Sequence, residues 1–145
     1  MPPKNNPFIR FLWDFHLWIY RLTGGRIGAR LLAMPVLLLT TTGRKSGKER
    51  INPLSYVRHG DAFLVAASNG GADVPPGWYF NLAAHPAAQI QVGTRRMAVR
   101  ARETAGKERD ALWEKFKAME SAYARYETMT ERLIPVMALE PVGEK

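Results

Sequence analysis

The chain has 145 residues, 46% hydrophobic and 23% charged, with no cysteine and a formal net charge of +8. That length suits one domain with a real core, the composition excludes extensive disorder, and the missing cysteines exclude a disulfide framework and thiolate metal sites. Residues 1–60 carry ten Lys/Arg against only Asp14 and Glu49, whereas residues 61–145 carry eleven of each sign, so the basic part points to an anionic cofactor, membrane surface or nucleic acid.

Residues 1–30 read as an N-terminal amphipathic helix with a glycine-rich joint, and residues 31–145 as the main domain. Between Phe8 and Leu22, "FIRFLWDFHLWIYRL" places Arg10, Asp14 and Arg21 on one narrow face of a helix, with apolar residues over a wide opposite arc. Two readings stand. The helix is buried between the body and a second copy in a homodimer, or it lies on an anionic membrane with Trp and Tyr at headgroup level. "TGGRIGAR" then ends the helix, without the spacing of a dinucleotide fingerprint. The longest apolar run, Leu31 to Leu39, contains Pro35 and is far short of the roughly 20 residues of a spanning helix. With no small-residue cleavage site behind an apolar start, a cytoplasmic location, peripheral on the membrane at most, is expected.

Val36 to Thr42 is the first clear strand. Arg50 to Arg58 reads as a second, with Pro53 marking an edge or bulge. "HGD" turns into a third strand, Ala62 to Ser68, and "NGGADVPPG" is a loop of turn formers. Trp78 to Ala84 is a short helix stopped by Pro86. Ala88 to Val92 and Arg96 to Arg102 form a hairpin, with Arg96, Arg100 and Arg102 on one face and Met97, Val99 and Ala101 on the other. Lys107 to Met119 is a helix with Leu112, Trp113, Phe116 and Met119 inward. A second helical stretch follows, and Leu133 to Leu139 closes as a strand. About six strands and three helices, joined by short turns without a repeating strand–helix–strand pattern, favour an antiparallel sheet or small barrel with peripheral helices, an α+β class that is mainly β.

Conventional catalytic signatures are missing. His16, His59 and His85 have no ligand spacing, so no metal site is expected. "GRKSGKE" fails as a P-loop, because Gly43 and Gly47 are too close and Glu49 stands where a magnesium-binding Ser or Thr belongs. There is no G-x-S-x-G elbow, so an enzyme on this chain takes its chemistry from a bound cofactor. The glycine-bracketed "GRKSGK" turn after a strand is a candidate phosphate cradle.

Several separated motifs then fall in order: Thr41–Gly47, Arg50–Pro53, Ala67–Gly71, Trp78–Leu82, the Tyr123/Tyr126 pair and Ile134–Pro141. With them the chain resembles the deazaflavin-dependent nitroreductase and quinone reductase family, whose members use coenzyme F-420, an 8-hydroxy-5-deazaflavin. The resemblance implies a split β-barrel similar to flavin-mononucleotide-binding oxidoreductases. It implies hydride transfer from the reduced cofactor to a quinone such as menaquinone, a nitro compound or an enone. Arg44, Lys45 and Arg50 would hold the anionic tail, assisted by the amides of Lys45, Ser46 and Gly47. Asn52 and Pro53 would line the deazaflavin plane, Ala67 and Ser68 its edge, and Trp78 and Asn81 the wall. Asn69 stands where relatives often carry Lys, and Glu120 where another tyrosine can stand. Tyr123, Tyr126 and Ser68 are the candidate proton donors or acceptor-positioning groups; the tyrosine spacing of three also suits packing on one buried helix face. The rival readings are a non-catalytic deazaflavin carrier and a flavin-mononucleotide enzyme. Nucleic-acid binding by the Arg96–Arg102 stripe is disfavoured by the balanced charge of that half and by the lack of stacked aromatics.

Overall fold

The computed structural model describes residues 35–142; the expected N-terminal helix and glycine joint lie outside them. Strand β1 (Val36–Thr42) is covered on both faces, as its unbroken apolar start demands. Leu37 and Leu39 point into the main core, while Val36 and Leu38 sit on the other face beside Ile51. Six further strands follow: β2 (Glu49–Ser55), β3 (Val57–His59), β4 (Ala62–Ala66), β5 (Ala87–Val92), β6 (Arg95–Glu103) and β7 (Val136–Pro141). They make one sheet in the order β2-β1-β5-β6-β7-β4-β3, and every neighbouring pair is antiparallel.

The two edge strands are consecutive in sequence. The segment expected as one strand from Arg50 to Arg58 is split at Tyr56, so that β2 pairs with β1 and β3 pairs with β4. Tyr56 turns the corner, its N–H donating to Pro35 O at 3.1 Å. A single residue links opposite edges, so the sheet has to curl into a half-barrel whose edges meet at Tyr56 and part beyond it. Pro53 stands opposite Leu38 on edge strand β2, where a missing N–H costs no ladder bond. The expected hairpin at 59–61 forms between His59 and Ala62 with Gly60 at φ +60°.

Helix α1 (Gly77–Ala84) sends Trp78 and Leu82 into the main core, with Leu37, Leu39, Phe63, Val65, Ile90, Val99 and Leu139. Helices α2 (Gly106–Met119) and α3 (Ala122–Met129) cover the opposite face of β3, β4 and β7. There Leu112, Trp113 and Phe116 pack on Leu64, Val136 and Ala138. Met119, expected inward, is exposed because α2 ends with it. The buried charge on that helix is Arg109, whose Nε and Nη2 donate to Ile134 O at 3.1 and 2.8 Å and fasten α2 to the entry of β7. That strand starts at Val136 rather than Leu133, which stays exposed on the connection from α3. The Arg face of β6 is exposed as expected, but Arg102 is tied to Glu108 and Glu140 at 2.9 and 3.3 Å.

Candidate active site

The turn between β1 and β2 is held by its own backbone. Gly43 N–H donates to Lys48 O at 2.7 Å, Gly47 N–H to Gly43 O at 2.9 Å, and Lys48 N–H to Ser46 Oγ at 3.1 Å. A Cβ on Gly43 would stand 2.8 Å from Ser46 Oγ and 3.1 Å from Lys48 O, and Gly47 has φ +74°, so both glycines are required. The amide of Gly47 is spent inside the turn, which leaves those of Lys45 and Ser46 outside its bonds. Lys45 and Arg50 make no ion pair or side-chain hydrogen bond among the described residues. Arg44 is steadied by α1: Asn81 Oδ1 accepts from Arg44 N–H at 3.1 Å and from its Nη1 at 3.4 Å, and the guanidinium lies 4.9 Å from the Phe80 ring centre. Asn81 Nδ2 donates in turn to Thr41 Oγ1 at 3.1 Å. One helix side chain therefore joins the end of β1 to the cationic turn.

A cavity of about 270 Å³ opens at this turn, bounded by Arg50 and Asn52 of β2 and by Trp78 and Asn81. A second, of about 220 Å³, runs on along the parted edges of the half-barrel. Asn52 and Trp78 line both, so the two form one cleft. Its further walls are Pro53 to Ser55, Ala66, Ser68 to Gly70, and Tyr123 of α3. Asn52 is only 4% exposed, yet its carboxamide has no hydrogen-bond partner among the described residues. It borders both cavities, so the carboxamide is available to a ligand in the cleft.

The far wall is the loop after β4. Asn69, Gly70 and Gly71 have φ of +49°, +65° and +87°, and Asn tolerates that region better than other side-chain-bearing residues. Asn69 Nδ2 donates to Val74 O at 3.1 Å. Arg132 grips the same loop from behind. Its Nη2 donates to Ala67 O and Ser68 O at 3.1 Å each and lies 3.3 Å from Val74 O, and its Nε donates to Ala72 O at 2.9 Å. Gly71 is pressed on α3, where a Cβ would meet Met129 Sδ at 2.9 Å.

Tyr123 borders the cleft from an aromatic cluster with Trp113, Phe116 and Tyr126, at ring distances of 5.2 to 5.8 Å. Burial, reinforced by Tyr126 and Glu120 and opposed by Ser55, pushes its phenol up to about 12. It is therefore a neutral donor at physiological pH. The Glu120 carboxylate accepts from Ala122 N–H at 3.3 Å, at the start of α3.

The half-barrel cleft thus has a cationic turn at one end and an unpaired carboxamide at its middle. The family model of the F420H(2)-dependent quinone reductases matches residues 13–141. The chain belongs to this family. An F420H(2)-dependent quinone reductase of Mycobacterium tuberculosis is 44% identical over 132 residues, 88% of this chain and 89% of the relative. A solved F420-H2 dependent reductase is 42% identical with a TM-score of 0.68, over 73% of this chain and 94% of the other. A structure described as a domain-swapped dimer is 38% identical with a TM-score of 0.70, over 90% and 99%.

As an F420H(2)-dependent quinone reductase the chain is an oxidoreductase, its fold is the expected split barrel, and the family's cofactor suits the residues present. Arg44, Lys45, Ser46, Gly47, Arg50, Asn52, Trp78 and Asn81 come together at the turn; Asn52, Pro53, Ser68, Asn69, Trp78 and Tyr123 come together along the cleft. Two expected site residues stand back from it. Ala67 points into the main core while its neighbours Ala66 and Ser68 face the cleft, the alternation of an extended chain. Tyr126 packs edge-on against Tyr123 at 5.6 Å, behind the lining. Sequence reasoning missed Arg132 and Ser55. Arg132 lies between Glu131 and Leu133, both exposed, and reads as one more surface charge; only its place beside the "IPV" motif marks it.

Proposed function

We propose that this quinone reductase transfers a hydride from reduced coenzyme F-420 to a quinone such as menaquinone, in the cleft between β2 and the loop after β4. The observation that carries this placement is Asn52, which lines both cavities between the cationic turn and Tyr123 and whose carboxamide has no hydrogen-bond partner among the described residues. The turn holds the phosphodiester and carboxylate tail through Lys45, Arg50 and Arg44, with the Lys45 and Ser46 amides as further donors. Asn52 and Pro53 would line the ring, with Trp78 in the wall of the cleft. Reduced deazaflavin, when bound, supplies a hydride. The remaining work belongs to the chain: it orients an acceptor within the cleft and excludes water from it. Tyr123, neutral and half-buried, donates a hydrogen bond to the acceptor's oxygen, and Ser68 stands across the cleft as an alternative donor. Nitro compounds and enones fit the same cleft as planar acceptors.

The amphipathic stretch 8–22 suits an anionic membrane surface and brings the enzyme to a lipid-dissolved quinone. Among the described residues no helix is long and apolar enough to cross a membrane. Deleting residues 1–30 should abolish co-sedimentation with anionic liposomes and slow menaquinone turnover; unchanged values for both would sink this part. The related domain-swapped dimer makes a homodimer the assembly to look for.

Fluorescence titration with oxidised coenzyme F-420, with flavin mononucleotide in parallel, tests the cofactor. Saturable binding of the deazaflavin, weakened by Lys45→Ala or Arg50→Ala, supports the placement. A preference for flavin mononucleotide defeats it.

A further inference from the structure

A guanidinium bonded to carbonyl oxygens of one loop decides where that loop's N–H groups go. No peptide bond among the described residues is cis, and in a trans peptide the N–H points away from the C=O. Arg132 Nη2 draws Ala67 O and Ser68 O to its side. The N–H of Ser68 and the N–H of Asn69 belong to those same two peptide units, so both point away from Arg132. Strand geometry agrees. Ala67 N–H is directed at Pro135 O, on the β7 side, so the N–H of Ser68 is directed to the opposite side, where the cleft lies. Ser68 itself has helical φ/ψ of −77° and −31°, and Asn69 is left-handed. That sequence gathers successive N–H groups into a concave donor pair.

Neither amide donates to any described group, whereas Ala67 N–H, Gly71 N–H and Ala72 N–H all do. Ser68 and Asn69 line the cleft. Across the cleft stands Asn52, more than nine-tenths buried and equally unpaired. Two unpaired backbone donors and an unpaired carboxamide therefore border one cavity. A cation hydrogen-bonded to the carbonyl end of each peptide also polarises it and strengthens its N–H as a donor.

We propose that the amides of Ser68 and Asn69 form a donor pair for a carbonyl oxygen of a planar ring in the cleft, and that Arg132 is the positioning residue that aims them. The inference rests on the functional reading above and adds the residue that sets the geometry. A ring carbonyl is present in both the deazaflavin and a quinone. Hydride transfer raises the electron density on the quinone's oxygen, where donors fixed beforehand stabilise it without reorganising; on the deazaflavin, which gives up the hydride, the same donors would fix the ring's position.

The test is amide NMR of the full chain, uniformly labelled with nitrogen-15, titrated with oxidised coenzyme F-420 and then with menadione. The expected result is a downfield movement of the Ser68 and Asn69 amide protons. Movement on the deazaflavin alone assigns the pair to the cofactor's carbonyl, and movement only on menadione assigns it to the acceptor's. Binding without movement of either amide overturns the inference and leaves the functional reading intact. Failure of the wild-type chain to bind the deazaflavin overturns both. Arg132→Lys and Arg132→Met supply the second readout, since a lysine is a point charge that cannot span four carbonyls. Both are expected to shrink the downfield movement and to lower kcat by about tenfold or more, with KM for menadione changed less than about threefold. If Arg132→Met fails to fold, Arg132→Lys carries the comparison. A folded Arg132→Lys chain with wild-type kcat and wild-type amide shifts would reduce Arg132 to a structural staple.

Discussion

The two lips of the cleft are built on opposite principles. The cationic lip, residues 43–48, closes on bonds between residues no more than five apart; Lys45 and Lys48 are left free for a ligand, and Arg44 alone is tied elsewhere, to Asn81. The opposite lip, residues 67–74, borrows its order from Arg132, some 58 to 65 positions away, and from Met129 against Gly71. A self-tied turn can be rebuilt around each ligand without disturbing the core. A loop clamped by a remote guanidinium is as rigid as the packing of α3 and β7 behind it. The first arrangement suits capture of a charged tail. The second suits holding a ring against a fixed wall.

Four experiments would break or sharpen that contrast. The largest effect is expected from Arg132→Met, which strands Ala67 O and Ala72 O, whereas Ser68 O keeps Gly71 N–H and Val74 O keeps Asn69 Nδ2. It should lower unfolding stability by about 3 kcal/mol in urea titrations, while Lys45→Ala changes it by less than about 0.5 kcal/mol. Equal stabilities would mean that the 67–74 loop supports itself. Next is Gly71→Ala, which forces a side chain into φ +87° and onto Met129. A loss of about 2 kcal/mol is expected, and combining it with Met129→Ala should recover only the steric part. Full recovery would show that the left-handed backbone there is unstrained by a side chain.

Asn81→Ala acts on the other lip. Removing both bonds to Arg44 should raise the deazaflavin Kd about tenfold, equivalent to about 1.4 kcal/mol, with kcat nearly unchanged. A fall in kcat with constant Kd would place Asn81 at the chemistry instead of at the turn. The smallest effect concerns Tyr123, which lies between the lips. Its phenol is raised from the ordinary value of 10 to about 12, so the folded chain holds this proton more tightly than the unfolded chain. That stabilisation is complete below pH 10 and is lost as pH climbs from about 10 to about 12. Thermal melts should show Tm falling across this window, less steeply in Tyr123→Phe. An identical slope in both would mean that the phenol is not buried in solution.

Local pattern made much of this molecule readable. The run of Leu37 to Leu39, the glycines of the turn and the alternation from Arg96 to Arg102 each declare their own structure within a few residues. The motif spacing also reached the right family, since several short motifs in order are far more specific than one. What stayed hidden was set by distant partners. Nothing in "RINPLSYVRH" shows that its two ends pair with opposite edges of the sheet, because the break at Tyr56 follows from barrel curl and not from a turn residue. Arg132 and Arg109 look like solvated charges in a row of mixed polarity; both work on backbone oxygens elsewhere in the chain. Ala67 and Ser68 are adjacent letters, and only the end of β4 decides which one faces the core.

By itself, then, the sequence determined the class of the fold, the family with its anionic cofactor and the form of the cationic turn after β1, because those depend on period, charge, motif order and glycine placement at short range. Only the tertiary structure decided that the half-barrel edges part to make one cleft, that Asn52 is buried there without a partner, and that Arg132 turns two amides toward it. Those depend on which remote groups satisfy which backbone oxygens, and hydrogen-bond satisfaction in a folded chain is settled across the whole molecule at once.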